Sequence, residues 1–160
     1  MWPTLTNRRH LARRIRRARL TLRRSIRLTR VEDAVGLAFA GAEMAPGAIS
    51  AFFGDQRGRL LMSMCVDLDH VEALATRLLG MPNESYRTAL LVSNEPVDLA
   101  PNEDRIARWL ATRANFAEDD VELVDWIVID DERLESMSVR TGVGRWGAEW
   151  LPPADLRDAA

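Results

Sequence analysis

The sequence predicts an α/β fold: a mixed β-sheet flanked by helices, in a single domain with a basic N-terminal arm. Short apolar runs bounded by turn residues alternate along the chain with segments of helical period. The 160 residues are 47% hydrophobic, which suffices for one core. The single cysteine, Cys65, excludes an internal disulfide framework, so this core has to provide the stability.

Charge divides the chain into two parts. Residues 1–30 hold eleven arginines and no acidic residue, whereas residues 31–160 hold eleven basic and 24 acidic residues, a net charge of −13. We therefore expect residues 1–30 to form an arginine-rich arm, helical or disordered, and residues 31–160 to form the domain. No apolar run reaches the length of a membrane-spanning helix, and the N-terminus lacks the apolar stretch of a secretory signal, so we expect a cytoplasmic protein.

The arm is compatible with a helix. Over residues 10–28, Leu11, Ile15, Leu22 and Ile26 would form an apolar stripe inside a coat of arginines, although repulsion between the arginines opposes that helix. Such an arm suits nucleic-acid phosphates, an anionic membrane surface, or the acidic body of its own protein. The arginines expected to contact nucleic acid are Arg8, Arg9, Arg13, Arg14, Arg16, Arg17, Arg23, Arg24 and Arg27.

The first elements of the domain are predicted to be strands. Alternating apolar residues over 35–39 are compatible with a strand. Apolar runs over 49–53 and 60–66 flank a turn cluster at 55–58 and predict a β-hairpin. Within the second run, Cys65 is expected to be a small buried side chain.

Helices and strands alternate in the rest of the chain. The further predicted elements are a helix over 69–80, a buried central strand over 88–92, a helix from 101 to about 115, and strands over 121–129 and 134–139. The second helix should bury Ile106, Trp109, Leu110 and Ala114, and Trp126 should lie in the core.

Several residues have two possible roles. His10 and His70, the only histidines, are far apart in sequence, which argues against a histidine-based site. Trp146 and Trp150 lie in a glycine-rich tail, where they either anchor a partner or pack back onto the domain.

The end of the 88–92 strand carries the residues that indicate a function. A crossover through the helix over 69–80 would bring this strand end to the carboxyl edge of the sheet, where sites in open α/β sheets form. There the chain reads Ser93-Asn94-Glu95-Pro96 and then Pro101-Asn102-Glu103-Asp104.

These two strings resemble the JAB/MPN metalloprotease fold, in particular its RadC-like bacterial branch. That branch has His-Asn-His-Pro, a short loop and Pro-Ser-x-x-Asp at the corresponding strand end and helix start. The likeness extends over 48–140, through the hairpin at 53–60, the Leu-Val-Asp-Trp-Ile-Val-Ile strand at 123–129, and Ser136 after the final turn. It implies a three-layer sandwich of the cytidine-deaminase-like kind, and a link to DNA repair or mobile-element biology.

In active members of that branch, the two histidines and the aspartate hold Zn²⁺, which activates a water together with an upstream glutamate. Here the histidine positions hold Ser93 and Glu95, the serine position holds Asn102, and Asp104 is assigned to the aspartate. The upstream glutamate position falls near Leu68. Serine is a poor zinc ligand, and two carboxylates fall short of three strong ligands. We therefore expect no zinc, no other cofactor and no metalloprotease activity.

The function predicted from these residues is that of a binding or scaffold module with an unknown protein partner, associated with nucleic acid through its arm. Two alternatives remain open. Glu95 and Asp104, with Asp98 and an acid at 67 or 69, would suit a hard cation such as Mg²⁺ and hence a non-zinc hydrolase, although such acids are also common as helix caps. The arm would otherwise serve as a membrane-surface or partner-binding helix.

Overall fold

The computed structural model describes residues 25–41, 47–67, 86–98, 100–131 and 133–146. The described strands are β1 (Ala48–Gly54), β2 (Leu60–Asp67), β3 (Thr88–Asn94), β4 (Glu122–Ile129) and β5 (Leu134–Ser136). The described helices are α1 (Val31–Gly41), α2 (Glu103–Glu118) and α3 (Met137–Thr141). The helix predicted over 69–80, both histidines, Trp150 and residues 1–24 of the arm lie outside the described residues.

The five strands form one open, mixed sheet in the order β2-β1-β3-β4-β5. β1 runs antiparallel to both β2 and β3, β4 runs parallel to β3, and β5 returns antiparallel to β4. The predicted class, an α/β fold with a mixed sheet, is therefore confirmed. β3, the strand predicted to be central and buried, is the middle strand, and six of its seven residues are buried.

The predicted hairpin is formed by β1 and β2. One extra residue in β2 makes a bulge next to the turn. The turn closes through the Gly58 N–H, which donates to the Asp55 carbonyl at 2.9 Å. Gly58 has φ +78°, and a Cβ there would lie 2.7 Å from the Thr29 side chain, so the turn requires glycine on both counts.

Helices pack on both faces of the sheet. On the first, which we call the α1 face, residues of α1 pack on side chains of the central strands: Ala34, Leu37, Ala38, Phe52, Leu90, Val92 and Ile127. On the second, the α2 face, residues of α2 and α3 pack on the alternate side chains: Trp109, Phe116, Met137, Phe53, Leu91, Leu123 and Trp126. The described residues thus form helix, sheet and helix layers, with Trp109 and Trp126 in the core as predicted.

The strand considered over 35–39 is wrong, because Val31–Gly41 is a helix. The segment contains both periods: its apolar residues alternate, but Ala34, Leu37 and Ala38 also recur at the spacing of one helix face and are buried, together with Phe39. Glu32 and Asp33 lie in the first helical turn, where negative charge is favourable. The segment therefore forms a helix, as its helical period of buried residues favours.

The last residues of the predicted arm belong to the folded body. Leu28 is fully buried, and its N–H donates to the Gly58 carbonyl at 2.7 Å. Arg27 pairs with Arg59 in an antiparallel β-bridge. A helix extending to residue 28 is therefore wrong at its end, because the backbone at 26–28 pairs with the hairpin instead.

Three further details differ from the prediction. In α2 the buried residues are Arg105, Trp109, Thr112 and Phe116, whereas Leu110, at 42%, and Ala114, both predicted to be buried, are exposed. The buried face of the helix includes Arg105 because its guanidinium pairs there with the buried Glu135. Cys65 is exposed rather than buried, because β2 is an end strand and that face of it is left uncovered among the described residues.

The strand predicted over 134–139 ends at Ser136, where α3 begins. The Ser136 hydroxyl accepts from the Val139 N–H at 3.2 Å and caps the helix, which stops the strand. Trp146 is 4% exposed and packs on the α1 face, so of its two predicted roles the packing one applies. Within the described residues, no helix is long and apolar enough to cross a membrane.

Candidate functional site

The candidate site lies at the carboxyl end of β3. Because β3 and β4 are parallel, their carboxyl ends meet at one edge of the sheet. The Glu95 N–H donates to the carbonyl of Ile129 at the end of β4, at 3.2 Å, and so keeps the chain on that edge. After a short loop, the Asn102 side chain caps α2 by accepting from the Arg105 N–H at 3.0 Å. The cap fixes where α2 starts and which side chains of its first turns face the strand end.

Ser93 and Glu95, two of the residues at the predicted site, are in direct contact. The Ser93 hydroxyl donates to Glu95 Oε2 at 2.5 Å. From α2, Arg108 Nη2 donates to both carboxylate oxygens of Glu95, at 2.7 and 2.9 Å. The exposed fraction is 12% for the Glu95 side chain and 28% for Arg108, so the pair is only partly screened by water. Both oxygens of Glu95 are thus already bound.

Trp126 completes this network from the neighbouring strand. Its indole N–H donates to Ser93 Oγ at 2.9 Å, so the hydroxyl accepts from Trp126 while it donates to Glu95. The Arg108 guanidinium lies 4.8 Å from the centre of the Trp126 ring, a cation–π distance. The indole therefore holds the serine and the arginine in place at the same time.

A second ionic cluster lies beside the first. Arg105 is 6% exposed; its Nη2 donates to the Pro96 carbonyl at 2.8 Å and its Nη1 lies 3.3 Å from Glu135 Oε2. Glu135 also accepts from Arg140 Nε. Arg105 therefore joins the loop after β3 to β5, and Glu135 in turn joins β5 to Arg140 in the last turn of α3. The positive charge of Arg105 lies on the same side of α2 as that of Arg108.

Glu95, Asp98 and Asp104, the predicted acids whose side chains the structure describes, do not form one metal site. Asp104 is exposed in the first turn of α2, whereas the Glu95 carboxylate is bound by Arg108. Asp98 is engaged by Asn102 Nδ2 at 3.0 Å and lies 3.7 Å from Arg105. Across the described ranges, no three His, Cys, Asp or Glu side chains are close enough to hold a metal ion.

A zinc ion does not fit this strand end. The carboxylate that would ligate it is bound to a guanidinium, and the next side chain facing the strand end from α2 is a second guanidinium, Arg105. A divalent cation beside Glu95 would meet the positive charges of Arg105 and Arg108. The arrangement holds a carboxylate in a fixed position, and we assign it no hydrolytic step.

Asp125 is a separate buried acid in the middle of β4. Its Oδ1 accepts from the backbone N–H groups of Trp126 and Ser138, both at 2.8 Å, and its Oδ2 accepts from the Ser136 hydroxyl. Burial raises the pKa of Asp125 from 3.8 to about 7, and the hydrogen bonds, from Ser136 first, lower it by less. Asp125 therefore ties β4 to the N-terminus of α3.

The sequence identified Ser93 and Glu95 but missed the basic half of the site. Arg105, Arg108, Glu135 and Arg140 carried no motif. One signal was available for Arg105, because it lies four residues before Trp109 on the same helix face, a spacing that predicts burial. The pairing of Arg108 with Glu95 has no signal in sequence, because it depends on how α2 docks on the sheet.

No protein-family profile matches the chain, and no curated protein sequence is similar enough to count as a relative.

Proposed function

We propose that the protein is a non-catalytic binding or scaffold module of the RadC-like JAB/MPN type, in which an ionic network replaces the zinc centre. The observation that carries the proposal is the Glu95 carboxylate. Both of its oxygens are bound by Arg108, and one also by the Ser93 hydroxyl, so it is available neither as a metal ligand nor as a general base. The chain order of β3, then α2, then β4 parallel to β3 agrees with the element order of that fold.

The spacing of the helix motif strengthens the proposal. In Pro-Ser-x-x-Asp, the aspartate comes three residues after the serine. With Asn102 at the serine position, the aspartate position falls on Arg105, so the assignment to Asp104 is one residue too early. Arg105 is buried and contacts the strand-end loop, whereas Asp104 is exposed. A positive side chain at a zinc-ligand position favours a module without zinc.

The first test is metal binding by the full chain. We expect no stoichiometric Zn²⁺ or Mn²⁺ in the purified protein and no binding heat at about tenfold excess metal, since Glu95 supplies one occupied carboxylate where a zinc site needs three strong ligands. Elemental analysis and titration calorimetry measure both. Stoichiometric metal that is lost in Glu95→Gln would instead support the non-zinc hydrolase.

A restored site tests the motif register. The triple variant Ser93→His/Glu95→His/Arg105→Asp supplies the two histidines and the aspartate of the zinc pattern, and we expect it to gain one Zn²⁺. The matched control, Ser93→His/Glu95→His, keeps Arg105 and has only Asp104 as a third ligand; we expect it to bind far more weakly. Circular dichroism tests whether both variants fold, and zinc binding is compared only if both do. Equal binding by the two would refute the assignment of the ligand position to Arg105.

A second part of the proposed function is nucleic-acid binding through the arm. The observation in its favour is the separation of charge, eleven arginines in residues 1–30 against a net charge of −13 in the rest. An acidic body repels phosphate and would direct contact through the arm. This part is independent of the network around Glu95.

Salt dependence tests the arm. Replacing Arg8, Arg9, Arg13 and Arg14 with Gln in the full chain should weaken binding to a short labelled DNA duplex and lower the slope of log Kobs against log salt by about 3 to 4. The control replaces three body arginines, Arg57, Arg87 and Arg113, with Gln and should leave the slope unchanged. An unchanged slope in the arm variant, or binding only to anionic vesicles in sedimentation, would refute nucleic-acid binding by the arm.

A further inference from the structure

Among the residues that the structure describes, the outer edge of β2 is unpaired along most of its length. β2 ends the sheet and pairs with β1 on one side only. On its other side, the described chain pairs only with its beginning, where the N–H of Leu60 donates to the Ile26 carbonyl at 2.9 Å. The residues from Leu60 to Val66 carry no charge and no proline, so β2 lacks the usual protection of an edge strand.

The chain enters this edge in a defined direction. The bridge between Arg27 and Arg59 is antiparallel, and Leu28 and Ile26 bond to the hairpin on either side of it. Residues that precede Ile26 and remain extended would therefore run along the open part of β2 toward its carboxyl end. The segment needs no turn to do so.

The sequence before Ile26 has the period of a strand. Leu20 and Leu22 share the parity of Ile26 and Leu28, with Arg24 as the one charged residue at these even positions, while arginine, threonine and serine occupy the odd positions from 19 to 27. Ile26 and Leu28 belong to the core of the α1 face. A strand that continues upstream would place Leu20 and Leu22 on that same face, beside the uncovered side of β2.

We propose that residues 19–25 of the arm add to β2 as a sixth strand, antiparallel to it. The occupant follows from three observations: the entry point at Arg27, the direction of the bridge, and the alternation over 19–28. The arm proper, with the arginines from Arg8 to Arg17, would then leave the body from one edge of the sheet. A second copy of β2 is the competing occupant, but residues 26–28 already cover the beginning of this edge.

The native cysteine provides a direct test. The pairing starts from Arg27, which lies opposite Arg59. If the extra residue of the β2 bulge is left unpaired, as it is toward β1, continuing this pairing places Leu22 opposite Cys65. Cys65 is exposed, and opposing residues of antiparallel strands have Cα atoms roughly 4.5–5.5 Å apart, within the range that a disulfide spans. We expect Leu22→Cys in the full chain to form an intramolecular disulfide under mild oxidation, detected by mass spectrometry of the unreduced protein.

Three controls make the result specific. Arg23→Cys faces the opposite side of the sheet and should stay largely reduced, as should Arg13→Cys outside the proposed strand. Leu22→Cys/Cys65→Ser should form no intramolecular disulfide. Equal disulfide formation at positions 13, 22 and 23, or none at 22, would overturn the proposal, and disulfide-linked dimers through Cys65 would assign the edge to a second copy instead.

Hydrogen exchange on the unmodified chain provides an independent measurement. We expect the outward-pointing amides of residues 62–66 to exchange slowly, and their protection to be lost in Leu22→Pro, since proline cannot donate to a strand ladder. Fast exchange of these amides in the unmodified chain would overturn the proposal. Neither measurement involves nucleic acid or metal, so it can fail while the proposed function stands.

Discussion

Replacing Arg105 with Met should destabilise the protein by about 3–5 kcal/mol, because breaking a buried ion pair leaves its partner uncompensated. Arg105 and Glu135 are 6% and 4% exposed, and Arg105 also binds the Pro96 carbonyl. Without Arg105, Glu135 keeps only Arg140 among the described residues, and the Pro96 carbonyl loses its bond to α2. Urea unfolding followed by tryptophan fluorescence measures the change, with most of the loss expected in the midpoint.

Arg113 offers a matched control on the same helix. It is half-buried, and no ion pair to it is found within the described part of the chain, so Arg113→Met should change stability by less than about 0.5 kcal/mol. The triple variant Arg105→Met/Glu135→Leu/Arg140→Met removes the whole cluster and should regain part of the loss. A loss in Arg105→Met no larger than in Arg113→Met would show that the cluster does not stabilise the fold.

Stability should fall as the pH rises from about 4 to about 7, because of Asp125. Its pKa is about 7 when folded and 3.8 as a free side chain, so across this interval the folded state binds the proton more strongly than the unfolded state. The stability that this protonation supplies is fully present below pH 3.8 and is lost as the pH passes 7. The full loss is on the order of 4 kcal/mol.

Asp125→Asn separates this effect from all other titrating groups. Asparagine resembles the protonated acid: its oxygen can accept from the Trp126 and Ser138 N–H groups, and its amide can donate to Ser136. We expect the variant to match the parent near pH 4 and to exceed it in stability at pH 8. Denaturant midpoints at both pH values measure the difference. A difference between parent and variant that is constant with pH would contradict the raised pKa.

The sequence correctly predicted the type of those helices and strands whose local pattern fits only one kind of secondary structure. β1, β2 and β3 are short apolar runs between turn residues, and α2 follows a cap that sequence identifies at Asn102. It failed where two periods coincide, in α1, and where a short polar motif ends a strand, at Ser136. In such segments tertiary packing decides between two locally acceptable structures.

The candidate site was predictable in position but not in chemistry. Ser93 and Glu95 follow a buried strand, which marks the strand end from sequence alone. The partners at that strand end are Arg108, which lies on α2 thirteen residues after Glu95, and Trp126 on the neighbouring strand. Their contacts depend on how the helices pack on the sheet. A charged residue on an otherwise apolar helix face, such as Arg105, is the kind of sequence signal that can indicate a buried ionic partner.

The two edge strands of the sheet differ in length, and this difference limits how copies of the protein can join by strand pairing. β5 has three residues and leads directly into α3, so its outer edge has few backbone groups to offer, whereas β2 has eight residues. Strand-to-strand growth needs two usable edges per molecule. With usable pairing groups on the β2 side alone, whether the outermost strand there is β2 or the proposed strand over 19–25, strand pairing can join two molecules only as a closed pair about a two-fold axis, and open-ended fibres cannot propagate through the native sheet.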